Sequence, residues 1–225
     1  MIPTRWLMRL GCAAALLPTL MPASLSDAYA DVMPNPNAVA LISIDLQKGM
    51  ETLPHAPHSV GDVHRNFARI ADAVRALGRP VILMQVREMQ GKFLDAIKVP
   101  GPDGVPVLPS DWTDTSSDIG HQPSDLILVK QHWDAFYGTD LDGVLRKRGV
   151  TDIVLTGMST SFGVESTARS AWERGFNLFL PEDALSDIDA ERQDFAVKTI
   201  FPVIGHVTDT ASVLEALAGS TRQHG

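Results

Sequence analysis

The stretch 38–44, Ala-Val-Ala-Leu-Ile-Ser-Ile, runs apolar without alternation and stops on the charge of Asp45. Such a segment fits a strand covered on both faces, and strands of that kind belong to parallel sheets flanked by helices. Similar runs at 81–86, 125–129, 151–156, 176–180 and 203–207 predict five more strands. Helical patterns stand between them. Ser59 caps the first, with Asp62 at the capping-box position, and Val60, Val63, Phe67, Ile70, Val74 and Leu77 form one apolar stripe that Gly78 ends. Further helices are predicted from Thr139 to Gly149, over 164–174, over 190–200 and over 210–217, with a short one at 92–98 and a long loop over 100–124.

Strands alternating with helices build right-handed crossovers. The predicted fold class is therefore α/β: a doubly wound, mostly parallel six-stranded sheet with helices on both faces, a three-layer Rossmann-like arrangement. In such sheets ligands bind beyond the carboxyl ends of the strands. Asp45, Lys130 and the turn 157–163 each follow a predicted strand, so they converge on that crevice. Neither G-x-G-x-x-G after the first strand nor G-x-x-x-x-G-K-[ST] is present, which removes dinucleotide and nucleotide triphosphate binding as leading readings.

The first thirty residues read as a secretory signal peptide. Arg5 and Arg9 precede an apolar stretch over 10–25, and Ala28-Tyr29-Ala30 is an A-x-A cleavage pattern. Pro18 and Pro22 interrupt the stretch, so no stable membrane insertion is expected once the signal is removed. The expected organisation is a signal over 1–30, a Pro/Asn linker over 31–37 and one hydrolase-sized domain over 38–219, exported to the periplasm or secreted. The single cysteine, Cys12, lies inside that signal. The mature chain then has no thiol to form a disulfide, attack a carbonyl or bind zinc. A net charge of −8 on 225 residues argues against nucleic acid as a partner and leaves a small-molecule substrate.

Three motifs carry a resemblance to a known superfamily. Leu41-Ile-Ser-Ile-Asp45-Leu-Gln47 resembles the first-strand signature of the isochorismatase-like hydrolases. The segment from Val129-Lys130 through Trp133, Ala135-Phe136 and Gly138 to Leu141 resembles their lysine motif, and Thr156-Gly-Met-Ser-Thr-Ser-Phe-Gly163-Val-Glu-Ser-Thr-Ala-Arg169 resembles their nucleophile turn and helix. The resemblance spans essentially the whole chain after the signal. One departure stands out: Gly163 occupies the place where most members carry the catalytic cysteine. Isochorismate hydrolases share that glycine and cleave a vinyl ether without a covalent intermediate.

The resemblance implies catalytic roles for Asp45 as general acid and Lys130 as its partner, with Gly163 at the reacting centre. It places Gln47, Gln85, Phe136, Met158 and Ser159 against the substrate, with core packing the competing role for Phe136. It implies a cis peptide at Met158–Ser159, aiming backbone N–H groups at the ligand, and assembly as a homo-oligomer. No cofactor and no metal are expected; His55, His58 and His64 read as structural or solvent-exposed. Ser159, Ser161 and Ser166 are weaker candidates for a replacement nucleophile, because no G-x-S-x-G elbow surrounds them. The competing readings are a binding protein that lost catalysis, and an amidase using serine or an activated water.

Overall fold

A computed structural model describes residues 32–87 and 110–219. The expected signal, the 92–98 helix and the first part of the 100–124 loop lie outside these residues. The described elements in chain order are β1 (Val39–Ile44), α1 (Val60–Ala76), β2 (Val81–Val86), β3 (Leu126–Lys130), α2 (Leu141–Lys147), β4 (Asp152–Met158), α3 (Glu165–Glu173), β5 (Asn177–Pro181), β6 (Leu185–Ser186), α4 (Ala190–Phe195), α5 (Phe201–Ile204), β7 (His206–Thr208) and α6 (Thr210–Gly219).

All strand pairs are parallel, in the order β3-β2-β1-β4-β5-β7, with β6 pairing beside β4. The unalternating run of β1 is buried at every position. Its side chains divide between two cores. Ala40, Ile42 and Ile44 pack with Leu141 and Leu145 of α2 and Ala168 and Ala171 of α3. Val39 and Leu41 pack with Phe67, Ile70 and Val74 of α1 and Val213 of α6. Period-two alternation thus sends successive residues into opposite helical layers, and Ser43, the one polar residue of the strand, is buried with the rest.

The capping box of α1 forms as expected: Asp62 N–H donates to Ser59 Oγ, and Ser59 N–H donates to Asp62 Oδ2. The sheet differs from expectation in two places. Among the described residues it has seven strands, because the two-residue β6 pairs Leu185 with Gly157 and Ser186 with Met158; so short a strand leaves no periodicity to read. The last strand begins at His206, while Phe201–Ile204 is helical with Pro202 in its first turn, where proline is well tolerated. Gly205 divides the two elements. A Cβ there would come 2.7 Å from Leu178 Cβ, so glycine lets β7 approach β5.

Strand order reverses at β1, which has β2 on one side and β4 on the other. A topological switch point of this kind opens a crevice between the carboxyl ends of the two strands. Ile44 and Gly157 are paired there. Gly157 has φ +122°, and any Cβ on it would collide with the Ile44 backbone. Glycine is required for β1 and β4 to close up at the base of the crevice.

Candidate active site

β1 ends by turning sharply. Asp45 N–H still donates to Met84 O at 3.0 Å, in line with the sheet, but Asp45 itself takes a left-handed φ of 54°. Its carbonyl accepts from Gln47 N–H at 2.8 Å. A non-glycine residue in this conformation is uncommon, and such residues cluster at functional sites. Gln47 holds the turn in place. Its Nε2 donates to Val86 O at 3.0 Å and to Thr113 O at 2.7 Å, while its Oε1 accepts from Val86 N–H at 2.9 Å. Both amide hydrogens are therefore committed to backbone. The side chain pins the β1 and β2 ends to the 110–116 segment, and it has no donor left for the substrate role implied by the resemblance.

Lys130 reaches the same point from the end of β3. Its Nζ donates to Asp45 Oδ2 at 2.8 Å and to His132 O at 3.2 Å. An ammonium has three hydrogens, so one remains for a ligand. The Lys130 side chain is only 1% exposed and the Asp45 side chain 11%. Burial pushes the Asp45 carboxyl above its ordinary value, outweighing the opposite pull of Lys130. Asp45 Oδ1 is buried and has no hydrogen-bond partner among the described residues.

The turn after β4 closes the site. The Met158–Ser159 peptide is cis, and Thr160–Val164 forms a π-helical turn that runs into α3. Ser161 N–H donates to Asp187 Oδ2 at 2.5 Å. Thr167 Oγ1 donates to Gly163 O at 2.7 Å and accepts from Ala135 N–H at 3.0 Å, joining the turn to the lysine loop. A Cβ on Gly163 would lie 3.5 Å from Asp45 Oδ2, 3.7 Å from Trp133 O and 2.8 Å from Ile44 Cγ2. Position 163 thus adjoins the Asp45–Lys130 pair, and the Ile44 methyl occupies the space a side chain would take. Trp133 and Phe162 meet edge to face over this region, with ring centres 5.1 Å apart.

The other residues named from sequence are placed as follows. Met158 is fully buried in the core shared with α1, and Ser159 is buried at the start of the π-turn. Phe136 lies in the opposite core, stacked 6.0 Å from Phe176 with the Arg174 guanidinium 4.8 Å above its ring. These contacts make it part of the packed core. Gln85 Nε2 donates to Thr115 Oγ1 at 2.5 Å and lines a polar cleft with Arg87, Thr113 and Asp114, a cleft whose lining does not include Asp45, Lys130 or Gly163. Among the described residues Ser161 Oγ has no hydrogen-bond partner, and so no base in place to activate it.

Asp62-Val63-His64 has an Asp-x-His spacing, but Asp62 is committed to the cap of α1 and to Arg65. His64 lies buried on that helix, its Nδ1 3.4 Å from Ser116 Oγ. His55 Nε2 is 2.6 Å from Met50 O. Among the described residues no group of three His, Cys, Asp or Glu side chains is arranged to hold a metal ion.

Sequence reading missed Gln193, on α4. It is buried, and neither its Nε2 nor its Oε1 has a partner among the described residues. A polar residue on the apolar face of a helix, three residues before Ala196, was the available signal.

A model of the isochorismatase domain family matches residues 39–212. The chain is 41% identical over 185 residues to the uncharacterized isochorismatase family protein YecD of Escherichia coli O157:H7, covering 81% of this chain and 98% of that one. It is 29% identical over 212 residues to the ureidoacrylate amidohydrolase RutB of Methylorubrum extorquens, covering 81% of this chain and 84% of that protein. Among solved structures, an isochorismatase family protein from Burkholderia thailandensis is 44% identical, with a TM-score of 0.72, covering 83% of this chain and 100% of that one.

Proposed function

The chain belongs to the isochorismatase family of hydrolases, and within it we propose a hydrolase that works through Asp45 and Lys130 without a covalent intermediate. Its substrate is a small molecule carrying an enol-ether bond or a close relative of one. The observation that carries this reading is the asymmetry of the Asp45 carboxylate. Lys130 holds Oδ2, whereas Oδ1 is buried and unpartnered beside a position with no nucleophile.

Burial favours the protonated form of Asp45. The proton resides on Oδ1, because Oδ2 already accepts from an ammonium. Oδ1 delivers that proton to the terminal carbon of the enol ether. The electron pair of the double bond forms the new C–H bond, and the ether oxygen shares the positive charge. Water adds to the resulting oxocarbenium carbon and loses a proton, which restores Asp45. The hemiketal then collapses to a ketone and an alcohol. Through the same step isochorismate would give pyruvate. The free hydrogen on Lys130 Nζ binds an anionic group of the substrate. General acid catalysis of this kind contributes about 10²–10⁴-fold, and positioning supplies the rest.

A second reading rests on the likeness to a ureidoacrylate amidohydrolase: hydrolysis of an amide by a water that Asp45 activates as a base. The two readings part on products. Isochorismate, nicotinamide and N-carbamoylglycine, each incubated with the mature chain, separate them. Pyruvate from the first, with no ammonia from the others, supports the acid mechanism; ammonia release with no pyruvate replaces it with the second.

Export through residues 1–30 belongs to the same proposal, since the apolar stretch and the A-x-A pattern support it. Mass spectrometry of protein from a periplasmic fraction tests it: a first residue of Asp31 is expected, and an intact Met1 chain in the cytoplasm contradicts it.

A further inference from the structure

Buried polar atoms in folded proteins almost always find partners. Among the described residues, five side-chain atoms of Asp45, of the Thr160–Val164 turn and of α4, which packs against that turn, do not: Asp45 Oδ1, Thr160 Oγ1, Ser161 Oγ, and both Nε2 and Oε1 of Gln193. Gln193 is the sharpest case, because it is 2% exposed and both ends of its amide are orphaned. It sits buried on α4, and Ala196 and Val197, in the π-helical turn that follows, share a core with Ile44 and Val164. α4 packs against the Thr160–Val164 turn, and the neighbouring Arg192 guanidinium lies 5.5 Å above the Phe162 ring.

We propose that Gln193 is a specificity-determining residue of this site, reading a neutral substrate group that offers a hydrogen-bond acceptor and a donor side by side, as a carboxamide does. The pairing follows from chemistry. An amide side chain whose Nε2 and Oε1 are both unsatisfied is complemented by a C=O and an N–H together. A carboxylate would satisfy Nε2 and leave Oε1 facing an anion, so the charged end of the substrate belongs at Lys130 and the neutral end at Gln193. Thr160 Oγ1 and Ser161 Oγ supply further hydrogen bonds along the turn. A site built to hydrogen-bond a substrate group discriminates strongly against an analogue that lacks it, because its own buried groups are then left unpaired.

The inference rests on Asp45 and Lys130 marking the ligand site. It does not require that enol-ether cleavage be the reaction, so its test is equilibrium binding. Succinamate carries a carboxylate and a carboxamide; levulinate is its near-isostere, with a methyl in place of the NH₂. Calorimetry on the wild-type protein is expected to show succinamate binding about tenfold tighter than levulinate. In Gln193→Leu the two are expected to bind within about twofold of each other, while thermal stability stays level or rises, since an orphaned buried amide has been removed. Gln193→Glu keeps the side-chain length, loses the donors and is also expected to lose the preference. Equal binding by the wild type, binding of neither probe, or a preference that survives both substitutions overturns the proposal. Failure of the enol-ether assay alone, with the preference intact, would count against the proposed reaction and not against Gln193.

Discussion

Lys130 Nζ lies 2.8 Å from Asp45 Oδ2, and the other oxygen of that carboxylate, Oδ1, is buried without a partner. The two oxygens of one side chain thus have different surroundings: one is fixed by a cation, the other is free to hold or release a proton. Burial raises the Asp45 pKa and Lys130 lowers it. An acid must be protonated to act, so kcat/KM is expected to fall as pH rises through the elevated Asp45 value. In Lys130→Met only the burial effect remains, and the fall moves to higher pH. A pH–rate profile of the two proteins checks this; a shift to lower pH in Lys130→Met is the contrary result.

Gly163 is hemmed in by Ile44. A Cβ would stand 2.8 Å from Ile44 Cγ2, a branched methyl that cannot swing away freely. Gly163→Cys is therefore expected to cost about 1–3 kcal/mol of stability through overpacking. It is also expected to give no thiol-dependent amidase activity until Ile44 is shortened. Thermal melts of Gly163→Cys and of Gly163→Cys with Ile44→Ala test the point, the second change being expected to lessen the loss that the first causes.

Gln47 joins three backbone groups with one amide. Gln47→Leu leaves Val86 O, Thr113 O and Val86 N–H without that partner, and each buried group so abandoned costs about 1–3 kcal/mol. The expected outcome is a large drop in melting temperature. A substrate-contact role would instead raise KM with stability intact.

His64 is buried, and that burial lowers its pKa from the ordinary 6.5. Its Nε2 has no partner among the described residues to receive a new charge. As pH falls below 6.5 the unfolded chain takes up the proton before the folded one does. Stability is fully present above that value and is lost as pH drops toward the depressed folded value. Melting temperature against pH for wild type and His64→Asn checks this: the decline between neutral and mildly acid pH is expected to be shallower in the variant.

The strands that build the crevice were legible in sequence because β1 and β4 are buried on both faces, and unalternating apolar runs have few other uses. Asp45 and Lys130 stood out as charges at the ends of such runs. Less was legible where tertiary contacts decide. Gln47 and Gln85 look alike as polar residues near strand ends, yet the first spends its amide on backbone and the second on Thr115. Phe136 follows Lys130 by six residues within the lysine motif and belongs to the core because Arg174 and Phe176, distant in sequence, pack on it. Residues 203 and 204 read as strand because their apolar run continues to Val207; the break at Gly205 depends on how close β5 lies. Gln193 needed both its burial and its empty hydrogen bonds to be noticed.

The central claim is that Asp45 is the acid that protonates the substrate carbon. Cleavage of isochorismate in D₂O tests it most directly, with the pyruvate methyl group analysed by mass spectrometry and the rate compared with that of Asp45→Asn. The expected result is one deuterium in the methyl group and a rate at least about 100-fold lower in the variant. Undiminished cleavage by Asp45→Asn, or pyruvate formed without deuterium from solvent, would contradict the account.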